Sequence, residues 1–302
     1  MVKESYRRTL REHGPLSLKV HPSKKHEGEL LSIAKGKIVT MAPTTPIYDA
    51  VQMMAREGFR RIPIANPATK VLDGIVTATD IIDYLGGGKK FEIIRQKFGG
   101  NIFKAINEPI KLIMTQKVVS VKSTAKISEA IALMTSTDLG GLPVVDDKNS
   151  VKAIITERDI ASLFADRLSG VTVAQLMSEN VVTALPQTTI FEAEQSMALQ
   201  GFRRLPIISD GKVVGIVTTM DIIRFFGSGE VFKHLQSGTL MQVLNTPALK
   251  IASKEVSTIE PTADVGQAAK IMKEKDVGAI PVVEKGEIIG ILTERDFFKI
   301  IA

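Results

Sequence analysis

The chain has 302 residues, 44% of them hydrophobic, with 39 Lys or Arg, 33 Asp or Glu and a formal charge of +6. That length and hydrophobic content suit two ordinary domains with sizeable cores and argue against disorder. The absence of Cys excludes a disulfide framework and thiol chemistry and fits a reducing cytoplasm; the lack of Trp, with only 5% aromatic residues, argues against a base-stacking nucleic-acid platform.

Residues 1–36 are a basic extension of charge +4, which leaves +2 for everything that follows. The stretch from Tyr6 to His13 reads as a short basic helix ended by Gly14-Pro15. His13, His21 and His26 match no standard metal spacing, so no metal site is predicted. The charged start lacks the apolar core of a signal peptide, and no apolar run approaches the ~18 residues of a membrane span.

From residue 37 one order of elements recurs four times. A short strand ends in a hydroxyl: Val39-Thr40, Val119-Ser120, Val182-Thr183 and Ser257-Thr258. An amphipathic helix follows, marked by Ile47, Ala50, Val51 and Met54; by Ile127, Ala130, Ile131 and Met134; by Ile190, Ala193 and Met197; and by Val265, Ala268, Ala269 and Met272. Next comes an apolar strand with a central Pro: Arg60-Arg61-Ile62-Pro63-Ile64, Gly141-Leu142-Pro143-Val144-Val145, Arg203-Arg204-Leu205-Pro206-Ile207 and Ala279-Ile280-Pro281-Val282-Val283. A second strand then ends in Thr-x-x-Asp and runs into a helix: Thr77 with Asp80, Thr156 with Asp159, Thr218 with Asp221, Thr293 with Asp296. Each repeat is strand, helix, strand, strand, helix, which makes the fold class α/β (α+β). The repeats are assigned to 37–88, 113–168, 176–229 and 251–302.

The motif Asp residues are 79, 62 and 75 positions apart, a long, short, long spacing that groups the repeats as 1+2 and 3+4. Odd repeats carry Phe-Arg-Arg before the Pro strand; even repeats carry Gly there and end in Thr-Glu-Arg-Asp. Inside each pair, Gly86-Gly87-Gly88 and Gly227-Ser228-Gly229 open a Gly-rich turn, a short helix and an Asn-x-Pro stop. No Gly-Lys-Ser/Thr follows, so this is no phosphate-cradling P-loop.

Thr-x-x-Asp is a capping-box pattern, in which the Thr hydroxyl takes a helix amide and the acid reaches back to the cap. It also suits a ligand, because helix-start amides attract phosphate and the Asp can accept from a ribose. The two readings are compatible.

The recurring order resembles the CBS domain, the cystathionine beta-synthase repeat, four times over. It is most similar to archaeal four-CBS proteins that are themselves similar to the gamma subunit of AMP-activated protein kinase. The resemblance implies two Bateman modules packed into a disc, monomeric or dimeric, whose clefts bind adenosine-containing ligands. A purine nucleotide would find its base site at Thr40, Ser120, Thr183 and Thr258 with Ile62, Leu142, Leu205 and Ile280. Its ribose would meet Asp80, Asp159, Asp221 and Asp296. Its phosphates would meet Thr77, Thr156, Thr218 and Thr293 with Arg60, Arg61, Arg203, Arg204, Arg158 and Arg295, since a guanidinium pairs two phosphate oxygens. No catalytic set is visible. The expected function is a cytoplasmic, non-catalytic regulator that senses AMP, ADP or ATP as regulatory ligands and passes occupancy to a protein partner, with no catalytic cofactor and no membrane. The alternative is a nucleic-acid-associated regulator that uses the basic tail as its contact and the repeats as its sensor.

Overall fold

The structure is a computed structural model that describes residues 29–34, 38–165, 167–229, 231 and 240–301. The expected basic helix at Tyr6–His13 lies outside the described residues. A leading helix α1 (Glu29–Ile33) comes first. Repeat 1 holds α2 (Ile47–Glu57), β1 (Arg61–Ala65), β2 (Leu72–Thr77) and α3 (Ala78–Ile82), which runs on as a π-helical turn over Asp83–Gly87. The first insert forms α4 (Phe91–Phe98) and α5 (Ile102–Ile106). Repeat 2 holds β3 (Val121–Lys122), α6 (Ile127–Thr137), β4 (Gly141–Val145), β5 (Val151–Thr156) and α7 (Glu157–Ala161). After α8 (Val173–Leu176), repeat 3 holds α9 (Ile190–Gln200), β6 (Arg204–Ser209), β7 (Lys212–Thr218) and α10 (Thr219–Gly227). After α11 (Leu240–Leu244), repeat 4 holds α12 (Val265–Glu274), β8 (Ala279–Glu284), β9 (Glu287–Thr293), a 3-10 turn over Glu294–Phe297 and α13 (Phe298–Ile301).

In each repeat the Pro strand and the motif strand pair antiparallel, with Arg61 opposite Thr77, Gly141 opposite Thr156, Arg204 opposite Thr218 and Ala279 opposite Thr293. Pro is tolerated there because its missing N–H falls at a position the ladder does not need. The hydroxyl strand lies parallel on the other side. It is Val121–Lys122 in repeat 2 and a single bridge elsewhere, Met41 to Ile64, Ala184 to Ile207 and Ile259 to Val282, so the pairing starts one residue after Thr40, Ser120, Thr183 and Thr258 rather than ending on them as expected. The helices follow their apolar stripes: α2 buries Ile47, Ala50, Val51 and Met54, and α12 buries Val265, Ala268, Ala269 and Met272. Pro46 sits at the cap of α2, one residue ahead of the helix.

The described residues fall into two compact units, and neither is a sequence-adjacent pair. One unit contains repeats 1 and 3. There α10 of repeat 3 packs on α2 of repeat 1, and the π turn of repeat 1 packs on α9 of repeat 3, around one continuous core. The other contains repeats 2 and 4. There Ala161, Phe164 and Ala165 of repeat 2 join the core of repeat 4, while Phe298 of repeat 4 joins that of repeat 2. In both, the helix after the motif leaves its own strands and packs on the alternate repeat.

A second exchange ties neighbours in sequence. The leading segment of each repeat covers the strands of its partner in the pair. Thr115, ahead of β3 at the start of repeat 2, exchanges both backbone hydrogen bonds with Ile75 of repeat 1. Ser253, at the start of repeat 4, does the same with Ile216 of repeat 3, and Ser178, at the start of repeat 3, with Ile291 of repeat 4. Leu30 of α1, ahead of repeat 1, is fully buried in the core of repeat 2. These bonds lie inside the two compact units, Thr115 and Ser253 in the unit of repeats 1 and 3, Ser178 and Leu30 in that of repeats 2 and 4, so the units group alternate repeats rather than the pairs 1+2 and 3+4 read from the motif spacing.

Candidate functional site

Each motif Thr is the N-cap of the helix that follows it, and the capping box is complete in all four repeats. The Thr77 amide donates to Asp80 Oδ2 at 2.9 Å and its hydroxyl to the same oxygen at 2.6 Å. The corresponding distances are 2.8 and 2.6 Å for Thr156 with Asp159, 2.8 and 2.7 Å for Thr218 with Asp221, and 2.8 and 2.7 Å for Thr293 with Asp296. The hydroxyl hydrogen is therefore spent on the Asp. In the first three repeats the hydroxyl oxygen also accepts from the Asp amide, at 3.2–3.3 Å.

The first helical amide is taken as well. The amides of Ala78, Glu157, Thr219 and Glu294 donate to the carbonyls of Arg60, Gly140, Arg203 and Gly278. The sequence reading gave Thr and the helix start to phosphate as donors. In the structure the hydroxyl and two of the first three amides serve the chain itself, because a helix end satisfies its own orphan groups first.

In three repeats the second carboxylate oxygen faces a cation. Asp80 Oδ1 accepts from Lys90 Nζ at 2.5 Å, and the same ammonium donates to the Ile113 carbonyl at 2.8 Å. Asp296 Oδ1 accepts from Lys299 Nζ at 2.9 Å, which also donates to the Leu176 carbonyl at 2.8 Å. Asp221 Oδ1 accepts from Arg224 at 3.2 Å. A carboxylate oxygen has two lone-pair directions, so Asp80 and Asp221 keep an acceptor position beside a positive charge, whereas Asp296 is closed off by burial. The side chains differ in access: Asp80 is 17% exposed, Asp221 9% and Asp296 1%. Burial pushes the Asp221 carboxyl above its ordinary range, against the downward pull of Thr218 and Arg224. Sequence reasoning missed these cations. Arg224 and Lys299 lie one helical turn after their Asp and were readable as such; Lys90 comes from the insert and was not.

The six arginines divide into two groups. Arg61 and Arg204, half-buried at the start of their strands, stand directly across from Thr77 and Thr218. Arg60 and Arg203 precede them and are also half-buried. Arg158 and Arg295 point elsewhere. Arg158 pairs with Glu294 at 2.7 Å and with Asp276, and Arg295 pairs with Glu157 at 2.5 Å and with Asp138. Glu157 and Glu294 are 1% and 3% exposed. Burial works against the Arg158 charge, and Glu294 and Asp276 more than restore it. The Thr-Glu-Arg-Asp signature of even repeats is thus a reciprocal clasp between repeats 2 and 4.

Ile62, Leu142, Leu205 and Ile280 are at most 2% exposed and belong to the cores. Their side chains have no surface left for a base, which corrects that part of the sequence reading; only their backbone is available. Thr40 and Ser120 are half-buried, while Thr183 and Thr258 are exposed. The apolar surface beside each motif comes instead from Ile75, Ile154, Ile216 and Ile291, which are half-buried two residues before the Thr and on its face of the strand. The sequence carried no signal for this, because each is one of two adjacent apolar residues before the Thr. Among the described residues no group of three His, Asp or Glu could hold a metal ion, and no helix is long and apolar enough to cross a membrane.

Four copies of a Pro strand, a Thr-capped motif helix and a parallel hydroxyl strand define a CBS repeat protein. The CBS domain profile matches residues 31–87, 110–166, 173–228 and 249–302, and the chain belongs to the CBS-domain family. It is 37% identical over 276 residues to MJ1225, an uncharacterized protein of Methanocaldococcus jannaschii, spanning 90% of this chain and 99% of that one. The crystal structure of that protein, described as a candidate archaeal homologue of g-AMPK, superposes with a TM-score of 0.85. The chain is also 32% identical, over 86% of each chain, to an uncharacterized 33.4 kDa protein of the Thermofilum pendens ribosomal RNA operon. An uncharacterized conserved protein of Pyrococcus horikoshii shares the fold at a TM-score of 0.57 and 21% identity, over 89% of this chain and 98% of that one.

Proposed function

We propose that the chain is a non-catalytic regulatory protein that binds adenine nucleotides and passes their occupancy to a protein partner. The observation that carries this reading is the fourfold motif: an Asp locked by its cap, with its second oxygen beside a cation in three repeats and a half-buried Ile on the same strand face. That set offers a ribose acceptor and an apolar wall. Arg61 and Arg204, across from the motif Thr of the odd repeats, add phosphate-pairing cations. Arg158 and Arg295 pair with carboxylates in the clasp between repeats 2 and 4, where they hold their unit together. The likeness to a candidate g-AMPK homologue supports the same reading. Such a ligand regulates only by binding one arrangement of the protein better than another.

Titration calorimetry with AMP, ADP, ATP and adenosine tests the proposal. Binding with a rise in Tm is expected, since a ligand selective for the folded chain stabilises it by mass action. No heat and no thermal shift at millimolar ligand would refute the nucleotide reading, and steady turnover of ATP by the pure protein would replace it with an enzyme.

A further inference from the structure

Glu194 is a fully buried carboxyl, and among the described residues neither of its oxygens has a hydrogen-bond partner. It lies on α9 among Ile190, Ala193 and Met197. The matching residue is Val51 in repeat 1, Ile131 in repeat 2 and Ala269 in repeat 4. Three copies place a hydrocarbon where this one places an acid.

The surface opposite is irregular at the same place. The Asp83–Gly87 turn that packs on α9 is π-helical and leaves helical geometry at Gly86. A Cβ on Gly86 would stand 3.2 Å from Glu194 Oε2 and 2.9 Å from Leu244 Cδ1. The related contact, α10 on α2, is a regular helix through Gly227, with Val51 in the position of Glu194. Acid and π turn therefore occur together on one side of the unit and are both missing from the other.

The elements packed on α9 carry several charged or titratable groups, each engaged elsewhere or not bonded to this carboxyl. Asp83, from the π turn, accepts from the Lys90 amide, and Tyr84 donates to the Ala105 carbonyl. Asp80 of α3 pairs with Lys90, and Asp221 with Arg224 on α10. Arg204 lies on β6, and α11 carries no ionisable group. On α9 itself, Glu192 caps Thr189 at the surface. With no counter-charge bonded to it among the described residues, burial pushes the Glu194 carboxyl well above the ordinary range.

We propose that Glu194 is a proton-operated latch between α9 and the Gly86 turn: neutral, it lets the two surfaces close, and ionised, it draws in water and parts them. The closed form keeps the proton at a pH where the open form has released it. Closure is therefore strongest below the ordinary glutamate range and weakens as pH rises toward the raised value of the closed form. One linked proton changes the open-to-closed ratio by up to about tenfold per pH unit within that window.

Hydrogen exchange on the full chain from about pH 5 to about pH 9, corrected for intrinsic exchange rates, tests the latch. In the wild type, amides of 83–88 and 190–198 are expected to lose protection at least about tenfold more than those of α2 and α10. Glu194→Gln and Glu194→Val should abolish that excess. An excess in either variant as large as in the wild type overturns the proposal, as does weaker protection of Glu194→Val than of wild type at about pH 8. Should the Gln variant fail to fold, Glu194→Val, which installs the repeat 1 residue, decides alone.

Discussion

Asp221 serves two ends at once: it closes the cap of α10, and it presents one oxygen next to Arg224. Replacing it with Ala separates them. The lost cap should lower stability by about 1 kcal/mol. A lost ribose hydrogen bond to a charged group should weaken nucleotide binding by about 1–3 kcal/mol. Calorimetry beside thermal melting reads both, and an unchanged affinity with a lower Tm would leave Asp221 as a cap alone. Arg61 and Arg204 give a sharper contrast. Arg61→Met with Arg204→Met should weaken ATP and ADP by about 1.5–3 kcal/mol per lost contact and leave adenosine unchanged. Equal losses for adenosine would mean that these arginines do not read phosphate.

At the level of elements, the 2–4 clasp and the 1–3 helix contact hold alternate repeats by different physics. In the clasp a nearly dry Glu meets an Arg that is 20–35% exposed. Glu157→Leu should cost more than the ~1 kcal/mol of a surface pair and less than the ~3–5 kcal/mol of a fully buried one. A double-mutant cycle with Arg295→Met should show positive coupling that salt reduces only slightly; no coupling would make the clasp incidental. In the 1–3 contact, Gly227 brings α10 close to α2, and an added Cβ would fall 2.6 Å from Ala55 Cβ and 3.3 Å from the Val51 carbonyl. Gly227→Ala should cost about 1–3 kcal/mol by overpacking, read from the denaturant midpoint. The order of elements was legible in the sequence because each repeat keeps its periodicity and its Pro, Thr and Asp at fixed offsets. Glu194 left a trace as the missing apolar member of the third stripe. The clasp was not legible: Arg158 reads the same whether it faces a phosphate or Glu294, and only the packing of α7 settles which. The buried side of Ile62 and its equivalents was hidden for a related reason, since a run of apolar strand residues does not say which of its faces a ligand can reach.

For the whole molecule, alternate-repeat packing means that neither half of the chain owns a complete unit. Fragments 29–166 and 167–302 should each expose the apolar faces that α2, α9 and α10 bury against one another. Each alone should self-associate, and the two together should recombine as a one-to-one complex, as measured by size-exclusion chromatography with light scattering. Two stable monomeric halves would show that these contacts contribute little. The insert at Lys90 and the helices that follow it belong to this scale as well, because that lysine joins the Asp80 carboxylate to the carbonyl of Ile113, at the start of repeat 2.

The exchanged leading segments have a consequence for descent. A repeat whose strands are covered by its own leader could be copied, lost or transplanted singly. Here Thr115 lies on repeat 1 and Leu30 in repeat 2, so a lone repeat would carry away its neighbour's cover and leave its own behind. The smallest heritable block is two repeats with both leaders. Doubling such a block would go from two repeats to four and skip three, and it would hand Phe-Arg-Arg to copies 1 and 3 and Thr-Glu-Arg-Asp to copies 2 and 4, which is the distribution in this chain.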